Sequence, residues 1–136
     1  MPLIAAFGKA VQLETASMSM RKEKMSMLEK YLKESIAGNE GIVLNSKEGA
    51  LPNIVNVSVP GIRSEIMLHF LEESGIYISS GSACSKGKVS PVLAALGVSD
   101  KNADSALRVS FCRDNTVEEI DILVEQLKAG IARFRR

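Results

Sequence analysis

Metal and disulfide chemistry are the first things this sequence has too few residues to support. It carries one histidine and two cysteines in 136 residues. Cys84 and Cys112 lie too far apart for a CxxC pair, and one histidine does not complete a zinc site. Two cysteines in a chain this long are no disulfide framework, which points to a reduced, cytoplasmic setting. An excess of one charge is also missing. The 17 Lys and Arg against 16 Asp and Glu leave a net charge of +1, so nothing marks a nucleic-acid or anionic-membrane partner. No apolar run approaches the roughly 18 residues of a membrane span. The start, Met1, Pro2, Leu3 and Ile4, shows neither a basic n-region nor a cleavage site, so no secretory signal is read. What is present is ordinary globular usage, 46% hydrophobic and 24% charged. The length fits one domain on the usual scale of roughly 100–200 residues.

The patterning predicts alternating helices and strands. Residues 1–37 read as helix, with Ile4, Phe7 and Val11, then Met25, Leu28, Leu32 and Ile36, at 3–4 spacing. Gly38 and Asn39 suit its stop. The stretch Ser17, Met18, Ser19 and Met20 is the expected bend, and the four methionines between 18 and 27 are expected as core filler. Ile42, Val43 and Leu44 form a short apolar run. Val55, Val57 and Val59 alternate with Asn56 and Ser58, a half-buried strand ended by Pro60 and Gly61. A helix follows over 63–74, with Ile66 and Phe70 sharing a face with Met67 and Leu71, and then a short strand through Ile76, Tyr77, Ile78 and Ser79. Residues 81–88 lack periodicity and read as a loop. Ser90 and Pro91 open a two-turn helix. Leu107, Val109 and Phe111 alternate with Arg108 and Ser110, which turns the arginine away from the apolar face. Thr116 with Glu119 is a capping box ahead of an amphipathic helix built on Ile120, Leu123, Val124, Leu127, Ile131 and Phe134. This order predicts an α+β fold: a small, antiparallel-dominated sheet over 54–59, 76–80 and 105–111, with helices packed on one face.

Cys84 is the leading candidate for chemistry. It sits in Gly81, Ser82, Ala83, Cys84, Ser85, Lys86, Gly87 and Lys88. Small neighbours leave a thiol unshielded, and Lys86 and Lys88 favour the nucleophilic thiolate; the other reading is a buried, inert cysteine. Cys112, at the end of an apolar strand, is expected to be structural and protected. Arg108 is placed to bind a carboxylate bidentately, or to stand as a solvated edge-strand cation. His69 is expected in a packing or surface role. Lys86 and Lys88 fit a solvated loop better than a phosphate site, and turn chemistry accounts for Asn53 and Asn56.

The run Ser79, Ser80, Gly81, Ser82, Ala83, Cys84, Ser85 resembles the cysteine desulfurases of the class V aminotransferase family, in the branch with an SGSAC motif. Gly75 to Ile78 fits the strand before it and Ser90 to Gly97 the short helix after it. Leu107 to Phe111 and Asn115 to Asp121 fit the later strand and terminal helix, and residues 3–14 the opening helix. The whole chain is similar to the C-terminal third of such an enzyme. The resemblance implies the small domain of a pyridoxal-phosphate enzyme that takes sulfur from L-cysteine and leaves alanine. It implies Cys84 as the nucleophile that becomes a persulfide, and Arg108 as the residue that grips the substrate carboxylate. It also implies a homodimeric parent and a sulfur-acceptor protein, in iron–sulfur cluster assembly or tRNA thiolation. The family's Schiff-base lysine and phosphate-binding residues belong to a large domain that nothing in these 136 residues matches. The isolated chain is therefore expected to hold no cofactor and to be inactive. A persulfide-carrier or docking module using Cys84 without pyridoxal phosphate is the alternative, and a plain class V aminotransferase small domain a third reading.

Overall fold

The computed structural model of the chain describes residues 1–80 and 90–135. The loop expected over 81–88, with Cys84, Lys86 and Lys88, lies outside the described residues. The chain runs through α1 (Pro2–Ile36), β1 (Val43–Leu44), β2 (Ile54–Ser58), α2 (Ser64–Glu72), β3 (Ser79–Ser80), α3 (Pro91–Ala95), α4 (Asp100–Asp104), β4 (Ala106–Ser110) and α5 (Val117–Phe134). The strands form one sheet in the order β1-β2-β4-β3, antiparallel at every pairing. The α+β expectation holds.

The centre of the sheet is the β2–β4 pair, in which Val55 faces Val109, Asn56 faces Arg108 and Val57 faces Leu107. Side chains alternate between the two faces of a strand. One face therefore carries Val55, Val57, Leu107 and Val109, which join Phe111 in the core. The core is closed by Leu28, Leu32 and Ile36 of α1, Met67 and Leu71 of α2, and Ile120, Leu123, Val124 and Leu127 of α5. The opposite face carries Asn56, Ser58 and Arg108, and the two short helices α3 and α4 stand beside it.

Two close contacts explain how α5 seats. A Cβ added at Gly130 would come 2.7 Å from Met67 Sδ, so a glycine lets α5 approach α2. The Phe70 and Phe134 rings then meet edge to face at 5.5 Å, with Arg133 over Phe134 at 5.3 Å. At its start, the Thr116 hydroxyl accepts from Glu119 N–H while Thr116 N–H donates to the Glu119 carboxylate. Asn115 Nδ2 donates to the same carboxylate at 2.8 Å. These bonds, the Asn115 amide first, hold Glu119 below the usual carboxylate range.

Three expectations are corrected, and one helix is added. α1 is unbroken at 17–20: Thr15 Oγ1 bonds back to Val11 O and Ser17 Oγ to Leu13 O, so these hydroxyls are satisfied inside the helix. The methionines are not core filler. Met18, Met20 and Met27 are exposed and Met25 is half-buried, because α1 is about 50 Å long at 1.5 Å per residue and buries just Leu28, Leu32 and Ile36. The strand expected through Ile76 pairs at Ser79 and Ser80 alone. Finally, α4 was not anticipated: it is five residues long, capped by Ser99.

Thr116→Ala is expected to destabilise the fold by about 1 kcal/mol in urea unfolding. The Glu119 carboxylate, with its native pKa lowered, adds stability that is present above the ordinary carboxylate pKa. That stability is lost as pH falls through the lowered native value. Glu119→Gln should flatten this acid limb; an unchanged limb would show that the cap bonds do not set it.

Candidate functional site

The polar face of the sheet is built around Arg108. Register places Asn56 of β2 on one side of it and Ser79 of β3 on the other. Its side chain lies over the strands, half-buried, and Nη2 donates to Ser79 Oγ at 3.3 Å. Arg108 Nε is buried and, among the described residues, has no hydrogen-bond partner. A buried guanidinium N–H without an acceptor is costly, so this donor is aimed at something the described residues do not supply.

A cavity of about 500 Å³ opens on this face. Arg108, Asn56 and Ile54 form its floor, Leu93 and Leu96 one wall, and the 46–51 loop the other. Lys47 and Glu48 both stand on that loop and balance each other, so the surplus charge is that of Arg108. The site is suited to a small anion that carries an apolar part, with a guanidinium fork to receive two oxygens.

Beneath the floor runs a chain of polar bonds. Asn45 Nδ2 donates to Asn56 Oδ1 and to Ser58 Oγ, each at 2.7 Å. Ser58, fully buried, donates to Asn102 O at 2.7 Å. Ser46 Oγ accepts from Asn56 N–H at 2.8 Å. Asn56 is thus a member of the site, not a turn residue. Its signal in the sequence was its phase: it shares the out-of-core parity that Arg108 has in its own strand. Which residues would face it depended on a strand pairing that joins segments some 50 positions apart.

The other expected residues separate clearly. Cys84, the expected nucleophile, lies outside the described residues. Cys112 is exposed, which corrects the expectation of a protected thiol. Phe111 is the last inward side chain, so Cys112 points outward by alternation, and its N–H bonds Asn115 Oδ1 at 2.7 Å. Burial therefore does not shield the Cys112 thiol from alkylation. His69 is exposed and bonds Glu72 at 3.0 Å, a surface role. No group of three metal-ligating side chains exists among the described residues. No described helix is long and apolar enough to cross a membrane.

The fold of the chain recurs in proteins of known structure. A NifS-like protein from Rickettsia africae superposes with a TM-score of 0.80 and 28% identity, over 95% of this chain and 34% of that one. A second NifS-like protein gives 0.78 and 28%, over 92% and 32%. The chain belongs to the class-V aminotransferase family, whose pattern residues 1–123 match. The mitosomal cysteine desulfurase of Encephalitozoon cuniculi is 36% identical over 98% of this chain and 31% of its own length. The cysteine desulfurase IscS of Pectobacterium atrosepticum is 36% identical over 97% and 33%. The chain therefore spans about a third of the length of these curated relatives.

The described residues do not fit pyridoxal phosphate. A Schiff-base lysine has to be desolvated to react as a free amine, and every described lysine is exposed or half-buried. Lys47 reaches the cavity from an exposed loop, and Lys24 and Lys33 are committed to Arg113 O and Glu29. The purified chain, given pyridoxal phosphate and L-cysteine, is expected to release no alanine. A stoichiometric borohydride-reducible adduct on one lysine would overturn this.

Proposed function

We propose that this chain is the C-terminal small domain, residues 1–136 as one unit, of a pyridoxal-phosphate-dependent cysteine desulfurase. The observation that carries the reading is Arg108, whose buried Nε has no acceptor among the described residues and which lines a cavity of about 500 Å³. The resemblance around Cys84 and the cysteine desulfurases among the relatives support it. Pyridoxal phosphate, held by another part of the intact protein, supplies the electron sink that these residues lack.

In this reading Arg108 grips the carboxylate of L-cysteine and so orients the rest of the substrate. A bidentate guanidinium–carboxylate pair fixes direction as well as position. Cys84 is the acceptor of sulfur. In the net change, L-cysteine and the Cys84 thiol become L-alanine and a Cys84 persulfide. The substrate carbon–sulfur bond breaks, a sulfur–sulfur bond forms, and the hydrogens balance with no outside oxidant or reductant. The persulfide then passes to an acceptor protein of iron–sulfur cluster assembly or tRNA thiolation, in the cytoplasm, where thiols stay reduced.

The exposed apolar side of α1 fits the same reading. Ile4, Phe7 and Val11 stay exposed, Phe7 at 72%. A stripe of this kind on a soluble helix marks a packing surface. The large domain of the intact, homodimeric enzyme is the partner that covers it, since the relatives are about three times as long.

Arg108→Ala in the intact enzyme is expected to raise KM for L-cysteine roughly 10–100-fold, the loss of one charge-assisted pair, with alanine release as the readout. Arg108→Lys should recover part of it, since it keeps the charge and loses the fork. An unchanged KM in the alanine variant would remove the observation on which the reading rests.

A further inference from the structure

Asn56 stands directly opposite Arg108 in the β2–β4 ladder and lines the same cavity. Directly opposed side chains on one face have Cβ atoms roughly 4.5–5.5 Å apart. An asparagine can offer its surroundings a donor or an acceptor, and its other bonds decide which. Here the decision begins at a group with no choice. The carbonyl oxygen of Asn102 can do nothing but accept. It takes the single Ser58 hydroxyl proton at 2.7 Å, and the Ser105 hydroxyl donates to it at 3.0 Å. Ser58 Oγ is then left as an acceptor. The Asn45 atom 2.7 Å from it is therefore the amide nitrogen. The same nitrogen lies 2.7 Å from Asn56, so the Asn56 atom there is the oxygen. The amide NH2 of Asn56 remains as the group it can offer a ligand.

This leaves two neighbouring residues on the polar face of the sheet, Asn56 and Arg108, each with a donor to offer. Arg108 Nε has no acceptor among the described residues, and Asn56 Oδ1, which accepts from Asn45 Nδ2, does not bond it. Neighbouring N–H groups are unfavourable together unless an acceptor lies against both. A carboxylate, with two oxygens and about four lone-pair sites, meets both at once.

We propose that Asn56 is a second carboxylate-binding residue, its amide NH2 and the Arg108 guanidinium holding one substrate carboxylate between them. This rests on the reading of Arg108 given above. The buried Asn102–Ser58–Asn45 relay sets the polarity of the clamp without touching the ligand.

The test uses the full chain labelled with 15N, following the Asn56 side-chain NH2 and the Arg108 Nε–H signals as acetate is added. Acetamide is the neutral isostere. Both signals are expected to shift along one saturation curve with acetate and not with acetamide. Asn56→Ala should weaken the acetate response at Arg108 about tenfold, and Asn56→Asp, which turns the donor into a carboxylate, should abolish it. The wild-type titration does not depend on either variant folding. If the Arg108 signal responds and the Asn56 signal does not, this inference falls and the Arg108 reading stands. If neither responds, both fall.

Discussion

Five residue pairs between β2 and β4, from Ile54 opposite Ser110 to Ser58 opposite Ala106, decide which side chains meet across the molecule. Because faces alternate strictly, one register sets both the core and the site. A slip of β4 by one residue against β2 would send Leu107 and Val109 to the polar side and Arg108 into the core. The apolar face locks the register by burial, since these valines and leucines sit under α1, α2 and α5. The polar face inherits its geometry from that lock. Arg108 is held in place chiefly by the hydrophobic core behind it and by its flanking strands.

The polar face has its own internal order. Its deepest member, Ser58, is fully buried, yet it lies in the same strand parity as Asn56 and Arg108. A buried hydroxyl needs both its donor and its acceptor used, and Asn102 O and Asn45 Nδ2 satisfy both. α4 earns its place in the fold through that carbonyl. Five residues with no buried member are too few to pack on their own, but they bring Asn102 O over the sheet. The arrangement leaves the Asn56 amide NH2 and the Arg108 guanidinium as donors on this face, the polarity on which the proposed carboxylate site rests.

The parts that were legible in the sequence are those written in local pattern. α5 was readable from Thr116, Glu119 and the spacing of Ile120 to Leu127, because a capping box and an amphipathic stripe are both local. β2 and β4 were readable from alternation, and so was the outward direction of Arg108. The outward direction of Cys112 was also written in that alternation, one step past Phe111. The expectation of a protected thiol weighed the apolar run over its phase. The N-terminal half of α1 misled because its stripe of Ile4, Phe7 and Val11 matches the buried half in spacing, and spacing does not say whether anything lies opposite. Of Asn56, the out-of-core phase was legible and the role was not. It depends on Asn45, Ser58 and Asn102 coming together, and no local pattern connects those positions.

In the proposed function, this domain takes sulfur from L-cysteine on Cys84. A single turnover of the intact enzyme with sulfur-labelled L-cysteine tests it most directly, read by peptide mapping of the unreduced protein alongside alanine. The account predicts one equivalent of alanine and label confined to the peptide containing Cys84, absent in Cys84→Ser. Label on the Cys112 peptide instead, or alanine formed with no labelled peptide in this domain, would contradict it.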